Sequence, residues 1–136
     1  MISPGLKSLG DITITTAGTQ TATAVEDLDG MLAAAVQFRL AYGSGGTSVK
    51  AYLQTSLDQG TTWVDVACFT ATTASAVKVY NLSALTPKTT AATPTDGSLT
   101  DDTSVDGILG DRLRVKVVSV GTYAGSTVLS VRAVVR

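Results

Sequence analysis

Apolar residues occupy every second position along much of this chain. In the run Leu32–Tyr42 the even-numbered residues are all apolar, and in Asp111–Val120 the odd-numbered residues from 113 to 117 are apolar. Leu and Ala also favour helices, but alternation with a period of two is typical of a β-strand that buries one face. The pattern therefore predicts about eight short strands and no helix. The predicted strands are Asp11–Thr16, Thr21–Leu28, Leu32–Tyr42, Val49–Thr55, Thr62–Phe69, Ala74–Leu82, Asp111–Val120 and Thr127–Arg136.

Glycine-containing turns separate the predicted strands. Asp29-Gly30 and Asp58–Gly60 are hairpin-type signals, and longer glycine-rich stretches lie at Gly43–Gly46 and Gly121–Gly125. Many short strands at this spacing predict an all-β, antiparallel β-sandwich of about eight strands. The strand number favours a jelly roll, although an immunoglobulin-like sandwich fits the same pattern. The sandwich is expected to occupy residues 11–136 as one domain.

Two segments lack the alternating pattern. Residues 1–10 contain Pro4, Gly5 and Gly10, and they are predicted to form an irregular N-terminal arm. Residues 83–107 contain two prolines and few large apolar side chains, so they predict a long loop. Loops of that length in compact domains are usually functional or mobile. In a protein that assembles with others, such a loop is expected to contact a neighbour.

The composition supports a sheet protein without a disulfide or a membrane span. Hydrophobic residues make up 44% of the 136 residues and charged residues 15%, which argues against a disordered chain. Cys68 is the only cysteine, so no internal disulfide forms, which suits a reducing cytoplasm. No apolar stretch approaches the ~20 residues of a membrane helix. No signal peptide follows Met1, so we expect a soluble protein with no membrane partner.

Charge and catalytic residues exclude further function classes. Ten basic residues nearly balance eleven acidic ones, and no basic run predicts direct nucleic-acid binding. The chain has no histidine, which removes Ser-His-Asp and Cys-His chemistry and the commonest metal ligand. Cys68 lies in an apolar run and is interpreted as a buried, inert thiol. The protein is therefore predicted not to be an enzyme, with no catalytic residue, cofactor or metal.

Aspartates of the long loop leave two interpretations open. Carboxylate oxygens are suitable ligands for Ca²⁺, but their spacing here does not match an EF-hand loop. A solvated loop is therefore the favoured interpretation, with a calcium site as the alternative. The four residues are Asp96, Asp101, Asp102 and Asp106.

A basic stripe on the polar face of the strand Asp111–Val120 also has two interpretations. It is either a face that is solvated or salt-bridged within the protein, or a patch that docks on an acidic partner. The first is the simpler. Arg132 and Arg136 would extend the stripe if the last two strands pair. The stripe itself consists of Arg112, Arg114 and Lys116.

The sharpest local motif lies at Ser56–Trp63. Its sequence, S-L-D-Q-G-T-T-W, matches S-x-D-x-G-x-T-W and so resembles the Asp-box hairpin of sialidases and related β-propellers. Asp58 is expected to accept backbone hydrogen bonds, Gly60 to adopt a positive φ and Trp63 to pack over the turn. One copy in a chain too short for a propeller indicates a structural hairpin, with Ser56 as its first member, and no sialidase activity.

Four stretches of small and β-branched residues carry a family resemblance. They are Thr19–Leu28, Gly45–Val49, Tyr52–Ser56 and Asp111–Val115. Together they resemble the small jelly-roll capsid cement proteins of tailed bacteriophages, of the Bordetella-phage type. The resemblance implies a β-sandwich that self-associates as a trimer or dimer and binds the major capsid protein. It also implies a place on the outer capsid surface of the virion, reached from the host cytoplasm, and it carries over no catalytic residues.

The contacts that this role requires are expected in the arm Met1–Leu9 and the loop Pro87–Gly107. The alternative function is a tail-associated or carbohydrate-binding module, in which Trp63 and Tyr52 would stack on sugar rings. Exposure of the Trp63 ring discriminates between the two. The candidate residues for capsid or subunit contacts are Ile2, Leu6, Leu9, Pro87, Lys88, Pro94 and Leu99.

Overall fold

Ten antiparallel β-strands make up the fold in a computed structural model, which describes residues 3–136. No helix is present within that range, so the all-β prediction is confirmed. The strands are β1 (Gly5–Thr13), β2 (Gly18–Thr21), β3 (Ala33–Ala41), β4 (Ser44–Gly45), β5 (Ser48–Ser56), β6 (Val64–Ala71), β7 (Ala76–Ser83), β8 (Arg112–Val120), β9 (Tyr123–Ala124) and β10 (Val128–Val135).

Two four-stranded sheets pack face to face as a β-sandwich. The first sheet has the strand order β1-β10-β3-β7, and the second has the order β2-β8-β5-β6. A two-stranded ribbon of β4 and β9 lies beside them. Phe38 from the first sheet stacks on Phe69 from the second, with 5.4 Å between ring centroids and 6° between ring planes. The two sheets therefore share one hydrophobic core.

The alternation in the sequence corresponds to the two faces of each sheet. In β3 and β8 every second residue points into the core, while the residues between them, which include the exposed Val120, face outward. Phe38 also meets the edge of the Tyr80 ring, at 5.5 Å between centroids. Edge-to-face and offset aromatic pairs add to the stabilisation that burial alone gives. The buried core residues of these two strands are Ala34, Val36, Phe38, Leu40, Leu113, Val115 and Val117.

The predicted N-terminal arm is wrong for most of its length. Strand β1 begins at Gly5 and pairs with β10, with Leu6 opposite Val134. The register shifts between Ser8 and Gly10, which marks a β-bulge. Glycine within a strand often marks such a bulge, so the glycines that suggested an irregular arm belong to a bulged edge strand.

Two other elements differ from the prediction. The predicted strand Thr21–Leu28 is wrong for most of its length, because β2 ends at Thr21 and the rest of the run makes only a single bridge, between Val25 and Leu113. The ribbon of β4 and β9 arises where turns were predicted, because Gly46 allows a close approach of the Tyr123 ring. A Cβ at Gly46 would lie 2.2 Å from that ring, and the φ of Gly46 is 75°. The buried Tyr123 hydroxyl donates to the Thr72 carbonyl at 2.7 Å.

A long connection joins β7 to β8. It contains no strand from Ala84 to Asp111, and within it only Ser104 makes an isolated bridge, to Ala67 of β6. The connection therefore extends beyond the predicted range of 83–107. It runs along the open edge of β6 and over the outer face of the second sheet, and we call it the β7–β8 loop.

Candidate functional site

A buried carboxylate on β6 fixes the middle of the β7–β8 loop. Asp65 is 2% exposed, and its Oδ2 accepts the backbone N–H groups of Gly97–Leu99 at 2.8, 3.0 and 3.3 Å. The Thr95 hydroxyl and the Gln54 side-chain amide donate to the same carboxylate at 2.9 Å each. Hydrogen bonds to a charged group are stronger than those between neutral groups, and breaking them leaves a buried charge without a partner. The segment Thr95–Leu99 is thus held against the sheet.

Backbone hydrogen bonds continue this attachment along β6. Asp65 N–H donates to the Thr95 carbonyl at 2.9 Å, and Cys68 N–H donates to the Thr103 carbonyl at 2.9 Å. Val105 N–H donates to the Val66 carbonyl at 2.8 Å. An uncovered sheet edge is a template for pairing with another chain. The β7–β8 loop covers the edge of β6 and removes that possibility there.

Three aspartates of the loop each bind a separate lysine of the sandwich. Lys116 binds Asp96 at 3.0 Å and Lys50 binds Asp101 at 2.9 Å. Lys78 binds Asp102 at 2.7 Å. In residues 3–136 no three metal-ligating side chains come together. The loop carboxylates are spread along the sheet as anchors and do not converge on one cation site.

Hydrogen bonds control the pKa of these loop carboxyls. The Gln54 amide and then the Lys116 ammonium lower the pKa of Asp96. Burial would raise the pKa of Asp102, but hydrogen bonds from Lys78 and Thr70 outweigh it and lower the pKa. The ionised forms of both carboxyls are therefore favoured by folding.

The basic stripe on β8 is paired within the protein. Arg112 Nη1 donates to Glu26 Oε1 at 2.8 Å, and Arg114 Nε donates to the side-chain oxygen Oε1 of Gln54 at 2.8 Å. With the ion pair of Lys116, all three cations have internal partners. The extension through Arg132 and Arg136 is wrong, because β8 and β10 belong to different sheets. The first interpretation of the stripe, an internally bridged face, describes the structure.

The Asp-box-like residues form one hairpin between β5 and β6. Gly60 N–H donates to the Ser56 hydroxyl at 2.7 Å, and Thr62 N–H donates to Asp58 Oδ1 at 2.7 Å. Gly60 has a φ of 91°. Several hydrogen bonds lower the pKa of Asp58, and the one from the Thr62 backbone N–H has the largest effect. The hairpin displays Leu57, which is 68% exposed.

Aromatic residues considered for sugar stacking are largely covered. Tyr52 is only 5% exposed, which leaves no ring face for a ligand. Trp63 is half-buried, and the Arg114 guanidinium lies 4.1 Å from the centre of its ring. One face of the indole is therefore occupied by a cation–π contact.

An apolar surface forms at the end of the sandwich that holds the β5–β6 hairpin. Leu57 and Leu85 are each 68% exposed, and Leu32 is 51% exposed. Ala84 N–H donates to the Leu32 carbonyl at 2.8 Å, so Leu32 and Leu85 lie at the same end of the first sheet. Leu57 and Ala84 line a shallow groove of about 420 Å³. We call this surface the apolar end; its members are Leu32, Leu57, Leu85, Ile108 and Leu109.

Asp106 holds the part of the loop that displays Leu85. Its carboxylate accepts the Ser83 N–H at 3.0 Å and the Thr86 hydroxyl at 2.9 Å. Gly107 N–H donates to the Ser83 carbonyl at 2.8 Å. The Thr86 bond, followed by the backbone bonds, lowers the pKa of Asp106. The start of the loop is thus fixed where it leaves β7.

The predicted contact residues fall in different environments. Leu9 is 2% exposed and belongs to the core, so its assignment as a surface contact is wrong. The bulge after Ser8 turns this side chain inward. Leu6 is exposed on the outer face of the first sheet, and Leu99 is half-buried where Asp65 holds the loop. Pro87, Lys88 and Pro94 are exposed, and Ile2 lies outside the described residues.

Asp65, which holds the β7–β8 loop against the sheet, could have been predicted from the sequence but was missed. It interrupts the otherwise apolar run Val64–Phe69, and a charge within such a run signals a buried, hydrogen-bonded carboxylate. Cys68 in the same strand is fully buried, and burial raises the pKa of its thiol to about 11. A thiol in that state is a poor nucleophile.

Comparisons with known proteins give no relatives. Residues 3–136 contain no helix that is long and apolar enough to cross a membrane. No protein-family model matches the sequence, and neither a curated protein nor a solved structure matches it.

Proposed function

We propose that this protein is a structural virion protein that binds the outer surface of a phage capsid and stabilises contacts between major capsid subunits. The observation that carries the proposal is the apolar end, where Leu57 and Leu85 are each 68% exposed beside a shallow groove. Exposed apolar groups that cluster on a folded domain mark interaction sites more often than isolated ones do. Interfaces draw their binding energy from a few such central groups.

The rigidity of the surrounding loop supports the same proposal. Asp106 fixes the loop beside Leu85, and Asp65 fixes it further along. A surface that is already ordered loses little conformational entropy when it binds. Lys88 lines the groove and Pro87 lies next to it, so the predicted contact loop borders the apolar end.

We also infer that the sandwich is a jelly roll. If the eight strands of four residues or more are numbered one to eight, the first pairs with the eighth and the second with the seventh. The third pairs with the sixth and the fourth with the fifth. These are the pairs of one long antiparallel hairpin rolled into two sheets, which is the arrangement expected of a jelly roll.

A repeated shell would strengthen a modest contact of this kind. Each copy would bind neighbouring major capsid subunits, and a binder of the intact lattice stabilises that lattice by mass action. If the copies self-associate, binding at one site raises the effective concentration at the next. Direct nucleic-acid and membrane contacts play no part in the proposal.

The test is co-sedimentation of the purified protein with cognate phage capsids stripped of it, beside capsids of an unrelated phage. Leu57→Asp and Leu85→Asp should each weaken binding by about tenfold or more, because they place a charge in an apolar contact. Val120→Asp is the matched control, because Val120 is equally apolar and 51% exposed but lies at the opposite end of β8. Equal binding by all three variants would reject the apolar end as the contact.

Absence of binding to any capsid would reject the cement function. The tail-associated or carbohydrate-binding alternative would then be tested with a glycan array. A variant that tests the N-terminal segment must delete no more than residues 1–4, because β1 begins at Gly5 and is part of the first sheet.

A further inference from the structure

Of the four outer edges of the two sheets, that of β7 is the least protected. Strand β6 is covered by the β7–β8 loop, and β2 is only four residues long. Strand β1 is broken by the bulge between Ser8 and Gly10. Strand β7 has eight residues and an unshifted register with β3. Natural proteins protect long edges by bulges, short strands or covering loops, and β7 has none of these along residues 77–81.

The hydrogen-bond pattern identifies which groups of β7 point outward. Ala84 N–H donates to the Leu32 carbonyl, so the even-numbered residues of β7 bond to β3. The odd-numbered residues face away, as Ser83 shows: its N–H donates to Asp106 and its carbonyl accepts from Gly107. Val77, Val79 and Asn81 therefore present their backbone N–H and C=O groups at the open edge, where no residue in 3–136 pairs with them as a strand.

Side chains at this edge are apolar where a protective charge would be expected. Val77 is 57% exposed and Val79 is 66% exposed. The one lysine of the strand, Lys78, is turned toward β6, where its ammonium binds Asp102 at 2.7 Å and the Thr70 carbonyl at 2.8 Å. Its charge is thus paired with Asp102 of the same chain in a half-exposed ion pair that lies toward β6 and away from the outward-facing groups of Val77 and Val79.

We propose that β7 is a self-association edge, at which the β7 strands of two copies pair antiparallel about a two-fold axis that passes between the two Val79 residues. An antiparallel pair of identical strands is self-complementary, as a two-fold interface requires. In the register that uses all three outward residues, Val79 faces Val79 of the second copy, and Val77 faces its Asn81. Two four-stranded sheets would join into one continuous sheet of eight strands.

This pairing needs no capsid, and its contact is small compared with that of a permanent dimer. The proposal is therefore that the edge associates weakly in solution and more fully where copies are concentrated on a surface. Its failure would leave the proposed capsid binding untouched, because no residue of the apolar end belongs to the edge formed by Val77, Val79 and Asn81, and Leu85 follows only after β7 has ended.

Cysteine cross-linking tests both the edge and its register. Cα atoms of a hydrogen-bonded antiparallel pair lie about 5.5 Å apart, a distance that a disulfide spans. Val79→Cys should therefore form a disulfide-linked dimer under mild oxidation. Val77→Cys alone should not, because the two sulfurs would be displaced by four residues, or about 13 Å along the strand. A mixture of Val77→Cys and Asn81→Cys should give a linked heterodimer.

The native chain and Val120→Cys are the controls, since Cys68 is buried and Val120 lies in the other sheet. Cross-linking of Val79→Cys no faster than Val120→Cys, or of Val77→Cys as fast as Val79→Cys, would overturn the proposal. Val79→Pro gives an independent measurement. The Val79 N–H points away from β3, so a proline at this position does not break the first sheet. Because the proline removes a hydrogen-bond donor from the open edge, sedimentation equilibrium should show self-association weakened by about tenfold. Unchanged association of folded Val79→Pro would also overturn it.

Discussion

Gly97 donates its backbone N–H to both oxygens of Asp65, at 3.0 and 2.8 Å, from a position 32 residues further along the chain. The bond joins a strand to a loop that has no regular secondary structure of its own. Because Ser98 and Leu99 donate to the same carboxylate, one buried side chain determines the conformation of the middle of the loop.

Replacing Asp65 should release the loop and destabilise the fold. We expect Asp65→Ala to lower the free energy of unfolding by about 2–4 kcal/mol, because it removes several hydrogen bonds to a buried charge. Asp65→Asn should lower the free energy of unfolding by a smaller amount, since an amide keeps one acceptor oxygen of the two. Urea denaturation measures the loss, and hydrogen exchange at Gly97–Leu99 reports whether the loop opens first. Asp101→Asn is the control, because its exposed ion pair should contribute less than about 1 kcal/mol. Equal effects of the two asparagine variants would contradict the assignment.

Acid should weaken the protein through the loop carboxyls. Folding lowers the pKa of Asp96 and Asp102 below 3.8, the ordinary value for an aspartate. As pH falls, the unfolded chain takes up protons at these groups first, so their stabilisation is present above about pH 5 and is lost as pH falls through the folded pKa. Denaturation midpoints measured between pH 7 and pH 3 should therefore be flat at first and then fall. The double variant Asp96→Asn, Asp102→Asn should be less stable at pH 7 and show a shallower fall. A slope equal to that of the native protein would reject this origin.

The contact between the two sheets should depend on Phe38. We expect Phe38→Ala to cost about 3–5 kcal/mol of unfolding free energy, because it leaves a cavity and removes contacts with Phe69 and Tyr80. Thermal or urea unfolding measures it. Val120→Ala, at an exposed position, should change the stability by less than about 0.5 kcal/mol. A loss below about 1 kcal/mol for Phe38→Ala would mean that the core collapses to fill the space.

The glycine beside Tyr123 should tolerate no side chain. Gly46→Ala would meet the Tyr123 ring and would also force alanine into a positive φ. Gly60→Ala shares a positive φ, of 91°, but an added Cβ there would meet nothing closer than 3.6 Å. We expect Gly60→Ala to cost about 1 kcal/mol from the backbone alone and Gly46→Ala clearly more. Comparing their unfolding midpoints separates the steric clash from the strain. Equal midpoints would show that the Tyr123 ring moves aside without cost.

Strand positions could largely be predicted from the sequence, because burial of one face leaves a period of two. The runs that became β3, β8 and β10 show that period over eight or nine residues. The pattern does not state which strand is the neighbour, so the placement of Arg112 and Arg132 in different sheets was not predictable. The start of β1 was missed because Gly5 and Gly10 mark either a loop or a bulge, and only the pairing with β10 decides.

The candidate surfaces were less predictable than the strands. Exposure of Leu57 follows from its place in a recognisable hairpin, but the groove that it shares with Ala84 and Ile108 depends on how the long loop returns across the sheet. The loop aspartates were visible as a group, whereas their lysine partners lie on three different strands. Long-range pairings of this kind are set by topology, and local patterns carry no record of them.

The position of β10 between β1 and β3 has a consequence for biosynthesis. While the chain emerges from the ribosome, β1 and β3 are complete long before the strand that joins them, so the first sheet cannot close until residues 128–135 have left the exit tunnel. Until then β1 has no partner strand and β3 can pair only with β7, so two strand edges remain exposed during translation, and nascent chains in that state are prone to aggregate. Slower translation would prolong this interval, and holdase chaperones that bind extended apolar segments would be most useful within it.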